Sequence, residues 1–406
     1  MNAAGNNLRN YAVITGGYWA FTLTDGAIRM LVVLYFHQLG YTPLAIASLF
    51  LFYEFFGIVT NLVGGWLSAR FGLNTTMHIG MLLQVLALLM LTVPTEYLTI
   101  IYVMVAQALS GIAKDLNKMS AKASVKLFVP TATDNKAGNP LFKWIAILTG
   151  SKNTLKGVGF FLGGLLLSLY GFKGALYVLS VCLLFVLLLT WFLLPTNLGK
   201  TKTKAKFSQI FANDPAINYL SAARFFLFAS RDVWFVVALP VYLTSQLGWD
   251  YAQVGRFFAL WIIGYGVLQA AAPRLLKNKK REAPDGKTTQ SMAIFLILLP
   301  ASMAIALYNQ YDPTSVIVVG LSLFAIIFAL NSAVHSYLII EWSDHDKVAM
   351  NVGFYYMANA GGRLLGTVLS GLIYQQYSLL GCLMTSSMLV AAAALLSTKL
   401  PRHDYA

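Results

Sequence analysis

The stretch 176-LYVLSVCLLFVLLLTWFLL-194 contains no charged side chain. A run of about 18 or more apolar residues is long enough to cross a lipid bilayer as one helix. A comparable run occupies residues 316–340. Charged residues make up only 11% of the 406 residues, whereas a soluble domain carries roughly 25%. The sequence therefore predicts an all-α membrane protein with several spanning helices.

Glycine, proline and charged residues divide the apolar chain into segments of helix length. We expect two halves of six helices each, residues 1–195 and 215–406, joined by a basic linker at 196–214. The twelve predicted transmembrane helices lie at 11–39, 43–69, 74–94, 97–126, 140–169, 173–194, 215–247, 251–276, 288–308, 314–340, 347–376 and 379–398.

A short internal repeat supports this division. Gln38-Leu-Gly-Tyr41 ends the first predicted helix, and Gln246-Leu-Gly-Trp249 ends the seventh, 208 residues later. Two related halves are typical of carriers in which one half rocks against the other around a central site.

The basic residues predict the orientation in the membrane, because cytoplasmic loops are enriched in lysine and arginine. Eighteen of the 29 basic residues fall in segments on one side, Lys173 alone falls on the other, and ten lie within helices. We therefore expect both termini in the cytoplasm. This bias also explains most of the net charge of +14, so the charge does not indicate binding to nucleic acid.

The segment Gly64-Gly-Trp-Leu-Ser-Ala-Arg-Phe-Gly72 connects the second and third predicted helices. It resembles the signature loop of major-facilitator transporters, although Ala69 stands where that loop usually has an acidic residue. The resemblance implies a role in conformational change for Gly65, Arg70 and Gly72. The alternative is that Arg70 is an ordinary anchor at the membrane surface.

Charged residues within the predicted helices need an explanation, because one at the bilayer centre costs at least about 2.5–3.5 kcal/mol unless it is paired or hydrated. Four acids, Asp25, Glu54, Asp115 and Asp232, cannot neutralise the bases. The ten basic residues are Arg29, Lys114, Lys118, Lys122, Lys152, Lys156, Arg224, Arg231, Arg256 and Arg363.

Helical spacing places several of these bases on common faces. Lys114 and Lys118 are four residues apart, as are Lys152 and Lys156, and seven residues separate Arg224 from Arg231. An excess of cations is tolerable where the site is wet or where an anion neutralises it. We therefore predict a midplane cavity for a small anion with more than one negative charge. The predicted binding residues are Arg29, Lys114, Lys118, Lys152, Lys156, Arg231 and Arg363, with Tyr18, Trp19, Asn117, Asn153, Trp234, Tyr356 and Asn359 as polar and aromatic companions.

The four acids have two candidate roles, fixed counter-ions or proton-coupling groups. Asp25 and Arg29 are spaced for an ion pair within one helix. Arg231 and Asp232 are adjacent, so we expect each to find its partner elsewhere.

Four strings carry a closer resemblance: 10-NYAVITGGYWAFTLTDGAIR-29, 111-GIAKDLNKMSAK-122, 149-TGSKNTLKG-157 and 229-ASRDVWF-235. They resemble the organoarsenical efflux permeases of the ArsJ family. The resemblance implies export of 1-arseno-3-phosphoglycerate across the bacterial inner membrane and resistance to arsenate. It also implies a functional link to glyceraldehyde-3-phosphate dehydrogenase, which makes this ester.

Other functions remain to be weighed against export. An importer or exchanger of organophosphates or organic anions would share the fold and the cationic cavity. A proton-coupled exporter of apolar drugs would need a cavity without this positive excess. No catalytic or metal-ligand spacing indicates an enzyme, so we expect a monomeric carrier in the lipid bilayer, without cofactor. Either the membrane potential or a proton gradient would drive it.

Overall fold

The computed structural model describes residues 3–128, 140–195, 214–276, 284–342 and 348–402. Within these residues the chain is helical and contains no strand, so the all-α class is confirmed. The helices are α1 (Ala3–Gln38), α2 (Pro43–Ser48), α3 (Leu51–Phe71), α4 (Leu73–Met90), α5 (Ile100–Phe128), α6 (Pro140–Leu193), α7 (Pro215–Phe235), α8 (Ala238–Ser245), α9 (Tyr251–Leu275), α10 (Gly286–Tyr308), α11 (Pro313–Glu341) and α12 (Val348–Ser397).

Nine stretches of the described chain are long and apolar enough to cross a membrane. Several helices able to span a membrane are therefore confirmed, whereas the number twelve remains a prediction. Two of the nine stretches, Gly150–Leu193 and Gly353–Ser397, have 44 and 45 residues, about twice the ~20 residues that one crossing needs. Helix α6 is interrupted at Gly171 and α12 at Ser378, where φ is 66° and 57° respectively. Each interruption coincides with a predicted connection between two helices.

Contacts between sequence-distant residues define the two ends of the bundle. At one end, which we call the linker end, Arg9 Nη2 donates to the Leu193 carbonyl over 3.1 Å, and Gly286 N donates to the Pro401 carbonyl over 3.0 Å. At the other end, the loop end, Tyr35 stacks on Phe172 with ring centroids 3.9 Å apart.

We call the described residues up to 195 the first half and those from 214 onward the second half. The apolar core joins the two at the loop end and is divided at the linker end. The largest cluster includes Phe36 and Phe50 from the first half together with Val237 and Leu243 from the second. A second cluster, which runs from Tyr11 to Leu194 in sequence, belongs to the first half alone. A third, from Ile217 to Leu400, belongs to the second half alone. Apolar packing therefore joins the halves mainly at the loop end.

The positive-φ glycines explain two features of the sequence. Gly40 and Gly248, one in each copy of the four-residue repeat, have φ of 82° and 67°, as is common after a helix end. Gly72 has φ of 89° and alone separates α3 from α4, so the predicted connecting loop is a one-residue turn. Gly65 and Arg70 belong to α3, and the side chain of Arg70 lies outside the described residues. So does the predicted linker, apart from Asp214.

Glycines on the first segment of α6 allow close contact with both neighbouring helices. A Cβ on Gly163 would lie 2.6 Å from the Ala27 carbonyl of α1, and a Cβ on Gly157 would lie 2.8 Å from the Ala259 carbonyl of α9. Such separations are too short for carbon and oxygen atoms. Helix α6 is therefore packed between one helix of each half through small residues.

We expect Gly163→Ala to destabilise the protein by roughly 1–3 kcal/mol, because the added methyl overpacks this contact. Gly16→Ala is the matched control, since a Cβ at exposed Gly16 meets nothing within 4 Å and alanine is the better helix former by about 1 kcal/mol. Melting temperatures of the purified proteins in one detergent measure the difference. Equal melting temperatures for both variants would contradict the packing argument.

Candidate functional site

A polar cavity of about 160 Å³ lies between helices of the two halves. This volume is below the usual range of about 300–1,000 Å³ for ligand pockets and suits a small metabolite. Its lining includes eight basic side chains: Arg29, Lys114, Lys118, Lys152, Lys156, Arg224, Arg231 and Arg363.

Four carboxylates accompany these bases within the described residues. Asp115 lines the cavity, and Asp25, Glu54 and Asp232 form ion pairs with its basic residues. Glu54 and Asp232 are fully buried. Eight formal positive charges against four negative charges leave an excess of four.

The lysines of α5 share one carboxylate. Lys118 Nζ is 2.7 Å from Asp115 Oδ1 and 2.6 Å from Asn61 Oδ1. Lys114 Nζ is 3.7 Å from Asp115 Oδ2 and 4.0 Å from the centroid of the Tyr53 ring. Asp115 therefore holds two ammonium groups in place, and its single charge leaves one of them uncompensated.

Asp25 holds the opposite lysine rather than the arginine of its own helix. Lys156 Nζ on α6 is 3.3 Å from Asp25 Oδ2, and the Tyr53 hydroxyl donates to Asp25 Oδ1 over 2.5 Å. Arg29 instead pairs with Glu54 at 2.6 Å. The expected Asp25–Arg29 pair was wrong, because residues on facing helices offer shorter ion pairs.

A chain of ion pairs crosses from one half to the other. Glu54 Oε1 lies 2.6 Å from Arg29 Nη2 and 2.6 Å from Arg363 Nη2. Arg363 Nε continues the chain to Asp232 Oδ2 at 3.3 Å, and Asp232 Oδ1 meets Arg231 Nη2 at 2.5 Å. The adjacent residues Arg231 and Asp232 do pair, contrary to prediction, because the long guanidinium side chain folds back over its own backbone.

Two arginines of α7 flank one aromatic ring. The guanidinium carbons of Arg224 and Arg231 are 4.0 Å and 4.8 Å from the Phe228 centroid. Arg224 donates to Asn359 Oδ1 over 3.0 Å and to Ser332 Oγ over 2.9 Å. No carboxylate in the described part of the chain forms an ion pair with it. Neutral oxygens thus orient a buried cation whose charge they do not cancel.

The structure brings most, but not all, of the predicted companions to the cavity. Tyr18, Asn153, Tyr356 and Asn359 join the seven predicted basic residues in its lining.

Three predicted companions lie elsewhere. Trp19 is 37% exposed and donates to Ser151 Oγ over 3.1 Å. Asn117 is buried and donates to the Ala113 carbonyl. Trp234 is buried in an aromatic cluster with Trp261. Helical position alone did not separate these side chains from those that face the cavity.

Other lining residues were missing from the predicted set. Arg224 shares the face of Arg231, and their spacing of seven was a usable signal. Gln269 and Tyr265 carried no comparable signal in the sequence. Gln269 accepts a hydrogen bond from Asn153 over 2.8 Å, which links the two halves. Among the described residues, no group of three or more His, Cys, Asp or Glu side chains is arranged to hold a metal ion.

An all-helical membrane protein with a polar cavity between its two halves has the architecture of a carrier. The family profile of the Major Facilitator Superfamily matches residues 14–333 and 220–405. The chain belongs to this superfamily, whose members are transporters rather than enzymes. A comparison with curated protein sequences finds no significant match.

Solved transporters share the fold at low sequence identity. The nucleoside transporter NupG has a TM-score of 0.70 at 14% identity, covering 97% of this chain and 98% of its own. A bacterial homologue of the iron transporter ferroportin, in its inward-facing state, has a TM-score of 0.69 at 15% identity, covering 98% and 99%. The human organic anion transporter MFSD10 has a TM-score of 0.66 at 15% identity, covering 98% and 100%.

We expect Glu54→Gln to destabilise the protein by roughly 3 kcal/mol or more, because it leaves two buried guanidinium groups without their shared carboxylate. Glu96→Gln is the matched control, since Glu96 is exposed at the loop end. Melting temperatures in detergent measure both changes. A Glu54→Gln variant as stable as the Glu96→Gln variant would show that the ion-pair chain contributes little.

Proposed function

We propose that this protein is a secondary transporter that exports a small polyanionic organoarsenical, 1-arseno-3-phosphoglycerate, from the cytoplasm and so confers resistance to arsenate. The observation that supports this most is the cavity's excess of four formal positive charges over the four carboxylates near it. Such an interior favours an anion with several charges.

The proposed membrane arrangement has twelve crossings, in a bacterial inner membrane, with both termini in the cytoplasm. The interruptions at Gly171 and Ser378 divide two of the nine apolar stretches into four crossings. Helix α5 supplies the twelfth, since its lysines lower the mean hydropathy of a helix that is otherwise long enough. The linker end then faces the cytoplasm, in agreement with the distribution of basic residues.

The division of the core supports alternating access. The joined apolar core at the loop end would close the cavity toward the outside, and the separate clusters at the linker end would leave a route from the cytoplasm. Substrate binding neutralises the cations, and the halves then rock to open the loop end. Export of an anion from a negative interior is favourable by about 2.3 kcal/mol per charge per 100 mV.

The choice of cargo rests on charge, size and resemblance together. The proposed ester has a phosphate at one end and an arsenate at the other, so its charge can match the excess in the cavity. The cavity volume of about 160 Å³ restricts the cargo to a small molecule. Glyceraldehyde-3-phosphate dehydrogenase would supply the substrate when arsenate replaces phosphate in its reaction.

Everted membrane vesicles test the direction and the cargo. The ester is formed outside the vesicles from glyceraldehyde 3-phosphate, arsenate, NAD⁺ and the dehydrogenase, and vesicular arsenic is measured by mass spectrometry. We expect arsenic to accumulate only when the dehydrogenase is active and the transporter is present. No dependence on the dehydrogenase would contradict the proposed cargo. Uptake of 3-phosphoglycerate in right-side-out vesicles instead would favour an organophosphate importer or exchanger.

We expect Lys118→Gln to lower vesicle flux and arsenate tolerance by roughly tenfold, since a charge-assisted hydrogen bond contributes about 1.5–3 kcal/mol. Lys399→Gln is the matched control, because Lys399 is exposed at the linker end. Protein abundance is measured beside tolerance. Normal tolerance of Lys118→Gln, and of Lys114, Lys152, Arg231 and Arg363 variants, would contradict a cationic binding site.

The ion pairs of Asp25, Glu54, Asp115 and Asp232 support a role as fixed counter-ions rather than proton carriers. We therefore expect transport to follow the membrane potential. Clamping the potential to zero with valinomycin and balanced potassium, at a fixed pH gradient, should abolish net flux against the ester gradient. Flux that survives this clamp but stops when the pH gradient collapses would indicate proton exchange.

A further inference from the structure

The basic residues of the cavity differ in type between the two halves. All four lysines, Lys114, Lys118, Lys152 and Lys156, come from helices α5 and α6 of the first half. Helices α7 and α12 of the second half contribute only arginines. Lysine presents a mobile point charge, whereas arginine presents a planar fork that binds a tetrahedral oxyanion through two parallel hydrogen bonds. The two walls therefore offer different chemistry to a ligand.

The excess charge is divided equally between these walls. The first half contributes the four lysines and Arg29 against three carboxylates, an excess of two. The second half contributes three arginines against one carboxylate, Asp232, again an excess of two. A ligand that carries two doubly charged groups would neutralise both walls.

Three of the four arginines already pair with a carboxylate, and Arg231 meets Asp232 Oδ1 at 2.5 Å. Arg29 and Arg363 both bind Glu54 Oε1 at 2.6 Å, and Arg363 also reaches Asp232. These two residues tie the halves together through the ion-pair chain. Their guanidinium groups are consequently less available to a ligand than that of Arg224, which has only neutral partners among the described residues.

Arg224 and Arg231 are seven residues apart on α7, and both line the cavity. Phe228 lies between them in sequence, and both guanidinium carbons are within 5 Å of the centroid of its ring. Both guanidinium groups therefore lie beside the same ring. Asn359 and Ser332 fix the orientation of Arg224 through its Nε and Nη1 atoms. Arg224 is 5% exposed, and a buried cation held only by neutral groups is stabilised by an added anion.

We propose that the cavity contains two oxyanion subsites, an arginine subsite formed by Arg224 and Arg231 and a lysine subsite formed by Lys114, Lys118, Lys152 and Lys156. The inference rests on the proposed function and specifies its substrate class: an ester or acid with a tetrahedral oxyanion at each of two ends. Each end is bound by a different half, so the ligand itself bridges the halves. A ligand with one such end occupies one subsite and leaves the other wall charged.

Isothermal titration of the purified full-length protein tests this with two stable probes, propane-1,3-diphosphonate and methylphosphonate. The key variant is Arg224→Lys combined with Arg231→Lys, which keeps the charges and removes the paired donors. Lys118→Gln combined with Lys152→Gln is its counterpart on the other wall. Arg256→Lys is the matched control, because Arg256 is exposed on α9. Melting temperatures verify folding, and the single Arg224→Lys variant replaces the double variant if that one does not fold.

We expect the unchanged protein to bind the diphosphonate at least roughly tenfold more tightly than methylphosphonate. The arginine variant should lose about tenfold in diphosphonate affinity but less than about threefold for methylphosphonate, which still has the lysine subsite. The lysine variant should show the same pattern, and the control should show neither loss. Two results would overturn the two subsites: a variant that loses equal affinity for both probes, or an unchanged protein that binds both probes with equal affinity.

The outcome also separates this inference from the proposed function. Suppose that the variants lose unequal affinity for the two probes, but arsenic flux in vesicles does not depend on the dehydrogenase. That result would overturn the proposed cargo and support the two subsites. Dehydrogenase-dependent arsenic flux together with equal losses of affinity for both probes would support the cargo and overturn the two subsites. No binding of either probe to the unchanged protein would overturn both.

Discussion

Electrostatic repulsion among eight basic side chains in one cavity is the constraint on which this structure depends. Coulomb interactions are far stronger in a low-dielectric interior than in water, so each cation needs a carboxylate, a polar partner or a bound anion. Glu54 and Asp115 each serve two bases, and Arg224 relies on neutral oxygens. The remaining excess makes the empty site unfavourable and an anion-filled site favourable.

Helix packing determines where this charge is held and how it is shielded. Glycines on α6 let it contact α1 on one side and α9 on the other, so a single helix belongs to the contact surfaces of both halves. The apolar core is joined at the loop end, whereas the linker end has separate clusters. The Glu54–Arg363 ion pair lies where the halves meet, so the proposed rocking motion would have to break it or turn about it.

Much of this arrangement could be predicted from the amino-acid sequence. Apolar runs, interrupted by glycine and charge, gave the helices nearly where they occur, and helical spacing placed Lys114 with Lys118 and Lys152 with Lys156 in one cavity. Partners were harder to predict, because ion pairs depend on which helices face each other. Helical spacing therefore suggested Asp25 as the ion-pair partner of Arg29. In the fold the partner is Glu54, which lies on another helix. The substrate and the direction of transport are not encoded in helix geometry at all.

The most direct test of the cationic cavity is to locate an anion within it. Crystals of the protein grown with arsenate, measured above and below the arsenic absorption edge, would give anomalous difference density at each bound arsenic atom. The account predicts a strong peak in the cavity, beside the Arg224 and Arg231 guanidinium groups or the lysines of α5 and α6. Peaks confined to the protein surface, with an empty cavity, would contradict it.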